Sequence, residues 1–182
     1  MIYKAALTTA MALTAMVSTT GAPPVPRPAG DFAIPMPDGT EKPLSSFRGK
    51  VVCLEFVSTD CPHCQHASQV MSKLYSEYGP KGFQPLAVAF NDGAKDLVAG
   101  FVANNHVNYP VGYSDRDPVL KYLQVSVLER LMVPQMVWID RKGVVRAQTP
   151  QGGDENMLEE SYYRAEIEKL LAESGGPKRR AH

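Results

Sequence analysis

Val51-Val52-Cys53-Leu54-Glu55-Phe56-Val57-Ser58-Thr59-Asp60-Cys61-Pro62-His63-Cys64 is the stretch on which the reading of this chain turns. Its first seven residues are nearly all apolar and rich in β-branched side chains, as in a central strand covered on both faces. Glu55 is the exception. Beyond Cys64, the residues Ala67, Val70, Met71, Leu74 and Tyr78 recur at three- and four-residue spacing. That periodicity predicts an amphipathic helix from about Pro62 to Tyr78, ended by Gly79-Pro80. Two thiols with two residues between them, at the start of a helix and just behind a buried strand, can close a strained, readily exchanged disulfide.

The order of events within the pair follows from its position. Pro62 suits a first helical position, because the amide hydrogen it lacks would have no partner there. The Cys61 sulfur then faces free backbone N–H groups and the positive end of the helix dipole, which favour a thiolate. Cys64 lies one turn deeper and is shielded. Cys61 is therefore expected to be the attacking nucleophile and Cys64 the resolving thiol that breaks the mixed disulfide. An imidazolium at His63 would stabilise the Cys61 thiolate, and a carboxylate at Asp60 would oppose it. A carboxyl at Glu55, in an apolar strand, should resist ionisation and suit proton transfer. Strand alternation leaves open the alternative of a Glu at the sheet end paired with a basic side chain. Cys53 reads as a buried, inert core thiol.

Outward from this centre the pattern is α/β. Phe32 to Pro35 and Lys42 to Leu44 flank the turn signal Asp38-Gly39 and read as a short hairpin. A strand is predicted over Phe83–Phe90, with Pro85 near its start or at an edge. Asp96 is expected to cap a helix reaching about Asn105, and Tyr109-Pro110-Val111-Gly112 to be extended. Asp117-Pro118 should open a helix carrying Val119, Leu120 and Leu123. Met136–Asp140 and Val144–Gln148 read as an antiparallel pair turned by Arg141-Lys142-Gly143, with a final helix from about Glu159 to Glu173. The sum is a mixed central sheet flanked by helices, with an N-terminal hairpin extension.

The chain has 182 residues and no net formal charge. It is long enough for one well-packed domain, and its charge gives no footprint for nucleic acid. Three cysteines are too few for a disulfide-stapled scaffold. Residues 1–22 carry Lys4 near their start, continue through a mildly apolar run and leave through small residues, the pattern of an export signal; the alternative is a disordered leader. Residues 23–30, with Pro23, Pro24, Pro26 and Pro28, read as an extended tether. Residues 31–173 form the domain, and 174–182 a basic, solvated tail.

With these residues in view, the chain resembles the thioredoxin superfamily, and within it the TlpA/ResA-like thiol-disulfide oxidoreductases with their redoxin-type domain. The resemblance is carried by Asp31-Phe32, Leu44 through Val52, the Cys61–Cys64 motif, Val133-Pro134 and Ile139-Asp140-Arg141-Lys142-Gly143. It implies a thioredoxin-like fold and protein-disulfide oxidoreductase activity without a cofactor. Pro134 would be the cis-proline beside the disulfide, and Val133 would offer its backbone to a client peptide. Glu55 would be the buried acid that exchanges a proton with Cys64. The resemblance further implies an exported protein, thiol- or disulfide-bearing clients and a membrane thiol-electron transporter as electron partner; a monomer is expected.

Two departures pull in opposite directions. Asp60 stands where this family usually has an aromatic residue. Pro62-His63 is the dipeptide of DsbA-type oxidants, yet only 73 positions (134 − 61) separate Cys61 from Pro134, too few for the helical insertion of DsbA. The combination predicts a moderately oxidising pair on a TlpA-like body. Two rival functions compete with thiol exchange. Cys61, Cys64 and His66, with His63 and His106, would suit Cu(I) or zinc, but His66 should point off the face of the pair. A thiol peroxidase would use Ser58, three residues before Cys61, but the upstream proline it needs is replaced by Leu54. Trp138 and Met71 read as core.

Overall fold

The structure is a computed structural model that describes residues 23–173. The expected export signal (1–22) and basic tail (174–182) lie outside the described residues. Among the described residues, eight strands and four α-helices occur in the order β1 (Arg27–Pro28), β2 (Ala33–Pro35), β3 (Glu41–Pro43), β4 (Val51–Val57), α1 (Pro62–Tyr78), β5 (Phe83–Ala89), α2 (Ala94–Asn104), β6 (Val111–Tyr113), α3 (Arg116–Leu123), β7 (Gln135–Ile139), β8 (Val144–Gln148) and α4 (Glu160–Glu173). Six strands form one mixed sheet in the order β1-β8-β7-β4-β5-β6, and β2-β3 is a separate hairpin.

β4 sits at the centre, parallel to β5 and antiparallel to β7, and every one of its residues is buried. Its alternation divides the core. Val51, Cys53 and Val57 join the cluster beneath α1, α2 and α4, which includes Cys64, Met71, Tyr109, Trp138 and Tyr163. Val52, Leu54 and Phe56 join the cluster on the other face, under α3 and the hairpin, with Phe32, Leu44 and Leu120. The redox motif therefore starts where the most buried strand ends, which fixes its depth against the sheet.

Several boundaries differ from the sequence reading for identifiable reasons. The expected tether is partly structured: Arg27 and Pro28 pair antiparallel with Val145 and Val144, and Ala29 is buried, so the folded part begins before Asp31. Extended Pro-rich backbone is geometrically close to a strand, and an edge position tolerates a residue without an N–H. The Val25–Pro26 and Val133–Pro134 peptide bonds are cis. Helix α2 is capped by Gly93 in a left-handed conformation, not by Asp96, which lies in the first turn where the helix dipole favours a carboxylate. The expected piece at 109–112 is a strand two residues further on, and α3 opens at Arg116, one residue before Asp117. Pro85 lies in an interior strand, but β6 pairs with β5 only at Ala87, Val88 and Ala89, so one side of Pro85 faces an open edge.

Two turns show why their residues are needed. Asp140 Oδ1 accepts from the amides of Lys142 and Val144 at 2.9 and 3.0 Å, closing the β7–β8 turn around Gly143 at φ +77°. Gly112 lies against the hairpin: a Cβ there would come within 2.4 Å of Ile34 Cγ2 and of the Pro35 carbonyl.

Candidate active site

Cys61 is the N-cap of α1, with extended backbone, and Pro62 follows at the first helical position, as the sequence predicts. The Cys61 sulfur accepts the Cys64 backbone N–H at 3.4 Å and lies 3.8 Å from the Val133 carbonyl oxygen. Both cysteines are free thiols, Cys61 partly exposed and Cys64 fully buried. Burial holds the Cys64 thiol far above its ordinary range. The Ser58 backbone amide, donating toward the sulfur, opposes this.

The loop that presents Cys61 is tied on three sides. Thr59 donates its N–H to Asn91 Oδ1 at 3.0 Å and accepts from Asn91 Nδ2 at its hydroxyl, also at 3.0 Å. Gln65 Nε2 donates to the Thr59 carbonyl at 3.1 Å. The Ser58 hydroxyl donates to Asp60 Oδ1, not to the Cys61 sulfur. Asn91 and Gln65 carry no motif that sequence reasoning could have flagged.

Beneath the pair lies a buried acid. Glu55 is on the same sheet face as Cys53 and Val57 and is fully buried, so the alternative of a Glu at the sheet end is set aside. Burial pushes its carboxyl from the ordinary 4.5 up to about 8, against two hydrogen bonds that favour ionisation. Tyr109 donates its hydroxyl to Oε1 at 3.0 Å, and Ser68 donates to Oε2 at 3.4 Å. Burial, then the nearby Glu55, keeps the Tyr109 phenol well above its ordinary range, so it remains a donor. Tyr109 is held there by its neighbour: Asn108 Nδ2 donates to the Ser72 carbonyl at 3.2 Å and to the Ser76 hydroxyl at 3.0 Å, pinning the connector to α1. Tyr109 and Ser68 escaped the sequence reading because one lies 54 residues from Glu55 and the other reads as an ordinary helix residue.

The structure sets the Val133 carbonyl against Cys61, with cis Pro134 directly after it, and places Glu55 close enough to Cys64 for its charge to act on that thiol. His63, His66 and Asp60 are exposed. Among the described residues, no group of three or more His, Cys, Asp or Glu is placed to hold a metal ion. A cavity of about 630 Å³ lies beside β1 and α3 on the opposite sheet face and is lined by neither cysteine. Among the described residues, no helix is long and apolar enough to cross a membrane.

Comparison with known proteins agrees with this geometry. The Redoxin family profile matches residues 24–167. Thiol-disulfide oxidoreductase ResA of Geobacillus kaustophilus is 34% identical over 119 residues, covering 65% of this chain and 64% of the relative. The ResA of Bacillus thuringiensis subsp. konkukian is 28% identical over 132 residues, covering 72% and 73%. The chain thus spans just under two thirds of the length of the Geobacillus relatives it matches. A thioredoxin-family thiol:disulfide interchange protein of Chlorobium tepidum shares the fold with a TM-score of 0.67 at 21% identity, covering 82% of this chain and 99% of its own.

Proposed function

We propose that this chain, which belongs to the Redoxin family, exchanges disulfides with client proteins through Cys61 and Cys64. The observation that carries the reading is the asymmetry of the pair. One sulfur is accessible and faces helix N–H groups, and the other is buried one turn deeper above an acid.

The reaction runs in two displacements. The Cys61 thiolate attacks a client disulfide, forming a Cys61–client bond and releasing one client sulfur as thiolate. Cys64 then loses its proton and attacks the Cys61 sulfur, which releases the second client thiolate and closes the Cys61–Cys64 disulfide. Two electrons pass to the client, and the reverse sequence oxidises a client dithiol. Burial makes the Cys64 deprotonation the difficult step. Glu55 lies in the same buried face, and its carboxyl is held where it can take and return a proton near neutral pH. Val133 offers the client a backbone pairing edge: its carbonyl faces Cys61, and its N–H has no partner among the described residues. Pro134 fixes that backbone against the sulfur. Pro62 and His63 tune the Cys61 thiolate toward a moderately oxidising pair, and Asp60 tempers it.

The clients are proteins with thiols or disulfides, encountered outside the cytoplasm, with a membrane thiol-electron transporter as the redox partner of a monomeric protein. Turnover of insulin disulfides with a chemical reductant tests the activity. Wild type should reduce insulin, Cys61→Ser should be inactive, and peroxide should not be consumed. Equal activity in wild type and Cys61→Ser would reject the assignment.

A further inference from the structure

A second surface adjoins the nucleophile. The start of α1 and the flank of α2 enclose a groove of about 490 Å³ lined by Thr59, Asp60, Gln65, Leu97, Phe101 and Asn104, among others. Its polar groups are unevenly engaged. Thr59 donates its N–H to Asn91 and accepts from Asn91 and Gln65, and Gln65 uses an amide N–H on Thr59, leaving its side-chain oxygen to the groove. Asp60 takes one hydroxyl, from Ser58, and none of the ion pairs among the described residues includes it. Leu97 is 47% exposed on the same wall, a large apolar side chain left in solvent. The groove therefore offers a carboxylate, an amide oxygen and an apolar surface.

We propose that this groove receives the client segment flanking the reactive cysteine, and that Asp60 selects clients carrying Lys or Arg in that segment. The proposal rests on the thiol-exchange reading above. Asp60 immediately precedes Cys61, so residues next to the client sulfur must pass the Asp60 carboxylate as the Cys61–client bond forms. A cationic neighbour is attracted there. An anionic one meets both the Asp60 carboxylate and the Cys61 thiolate, and like charges so juxtaposed suppress the wrong partner. The carboxylate is exposed, so its effect should be moderate and screened by salt. Leu97 would take an apolar residue of the same segment.

The test uses the full, reduced chain and three probes. Two are synthetic peptides cyclised through a disulfide, identical except for Lys or Glu beside the attacked cysteine. The third is hydroxyethyl disulfide, which is uncharged and too small to fill the groove. Each probe oxidises Cys61–Cys64 and is itself reduced, so consumption of protein thiol reports the rate. At low ionic strength the Lys peptide should react on the order of tenfold faster than the Glu peptide. That ratio should fall toward one in Asp60→Asn and in about 0.5 M salt. Leu97→Ser should slow the Lys peptide relative to hydroxyethyl disulfide. A Lys-to-Glu ratio unchanged by Asp60→Asn, with hydroxyethyl disulfide still consumed through Cys61, overturns the proposal and leaves the redox reading standing. Failure of wild type to react with any of the three probes overturns the redox reading itself.

Discussion

Replacing Glu55 with Gln should make the protein more stable, by an amount that grows with pH. In the unfolded chain the carboxyl ionises near 4.5, and in the folded chain near 8. The folded state therefore holds a proton that the unfolded state gives up, and stability falls as pH rises between those values. The stabilising protonation is fully present below about 4.5 and is lost as pH climbs through about 8. At about 1.4 kcal/mol per pH unit, the loss is about 3 kcal/mol at pH 7 and reaches at most about 5 kcal/mol above pH 8. Gln has the same shape, stays neutral and can still accept from Tyr109, so Glu55→Gln should remove the decline without opening a cavity. Urea unfolding of the reduced protein at pH 5, 6, 7 and 8 measures this. Wild type and variant should nearly coincide at pH 5 and diverge steadily, the variant about 3 kcal/mol more stable at pH 7. Parallel stability curves for the two proteins across this range would refute the view that Glu55 is a buried, largely protonated acid. The same variant should slow resolution of the Cys61–client bond by Cys64, because the proton acceptor is gone.

Tyr109→Phe removes the donor on Glu55 Oε1 and should move the midpoint of the pH–rate profile for resolution upward by about one pH unit, since a bond to the charged form is lost; an unmoved midpoint would exclude Tyr109 as a partner of the working acid. Gly112→Ala should lower stability by about 1–3 kcal/mol through the clash with Ile34 and Pro35; thermal unfolding checks this, and hydroxyethyl disulfide turnover should stay at the wild-type rate. Equilibration with glutathione should give a reduction potential near −180 mV, and His63→Ala should lower it by roughly 30 mV. A wild-type potential below about −250 mV would instead mark the pair as a reductant of its clients.

The parts of the fold that could be read from the sequence are those in which local pattern and tertiary environment demand the same residues. β4 is apolar throughout because both faces are covered, and α1 repeats its apolar residues because one stripe meets the sheet. Cys61-Pro62-His63-Cys64 combines a helix-start signal with a chemical one, so the place of the pair at the N-terminus of α1 followed directly. Pro134 was legible only through resemblance, because its cis bond and its place beside Cys61 depend on contact across 72 residues. Glu55 could be flagged as an acid in an apolar strand, but its partners could not. Tyr109 reaches it from a connector whose course is set by Asn108 gripping α1. β1 stayed hidden because Pro-rich extended chain and an edge strand look alike until the neighbouring strand is present. The groove beside Asp60 is likewise a product of how α2 packs, and no local pattern announces it.

In the proposed reaction Cys61 attacks and Cys64 resolves. Its most direct test is to mix Cys64→Ser, and separately Cys61→Ser, with a disulfide-bonded client and to resolve the products by non-reducing mass spectrometry. A stable covalent adduct through Cys61 should form in Cys64→Ser, dissolved by added dithiol, and no adduct should form in Cys61→Ser. An adduct through Cys64 in Cys61→Ser, formed as fast as the other, would contradict it.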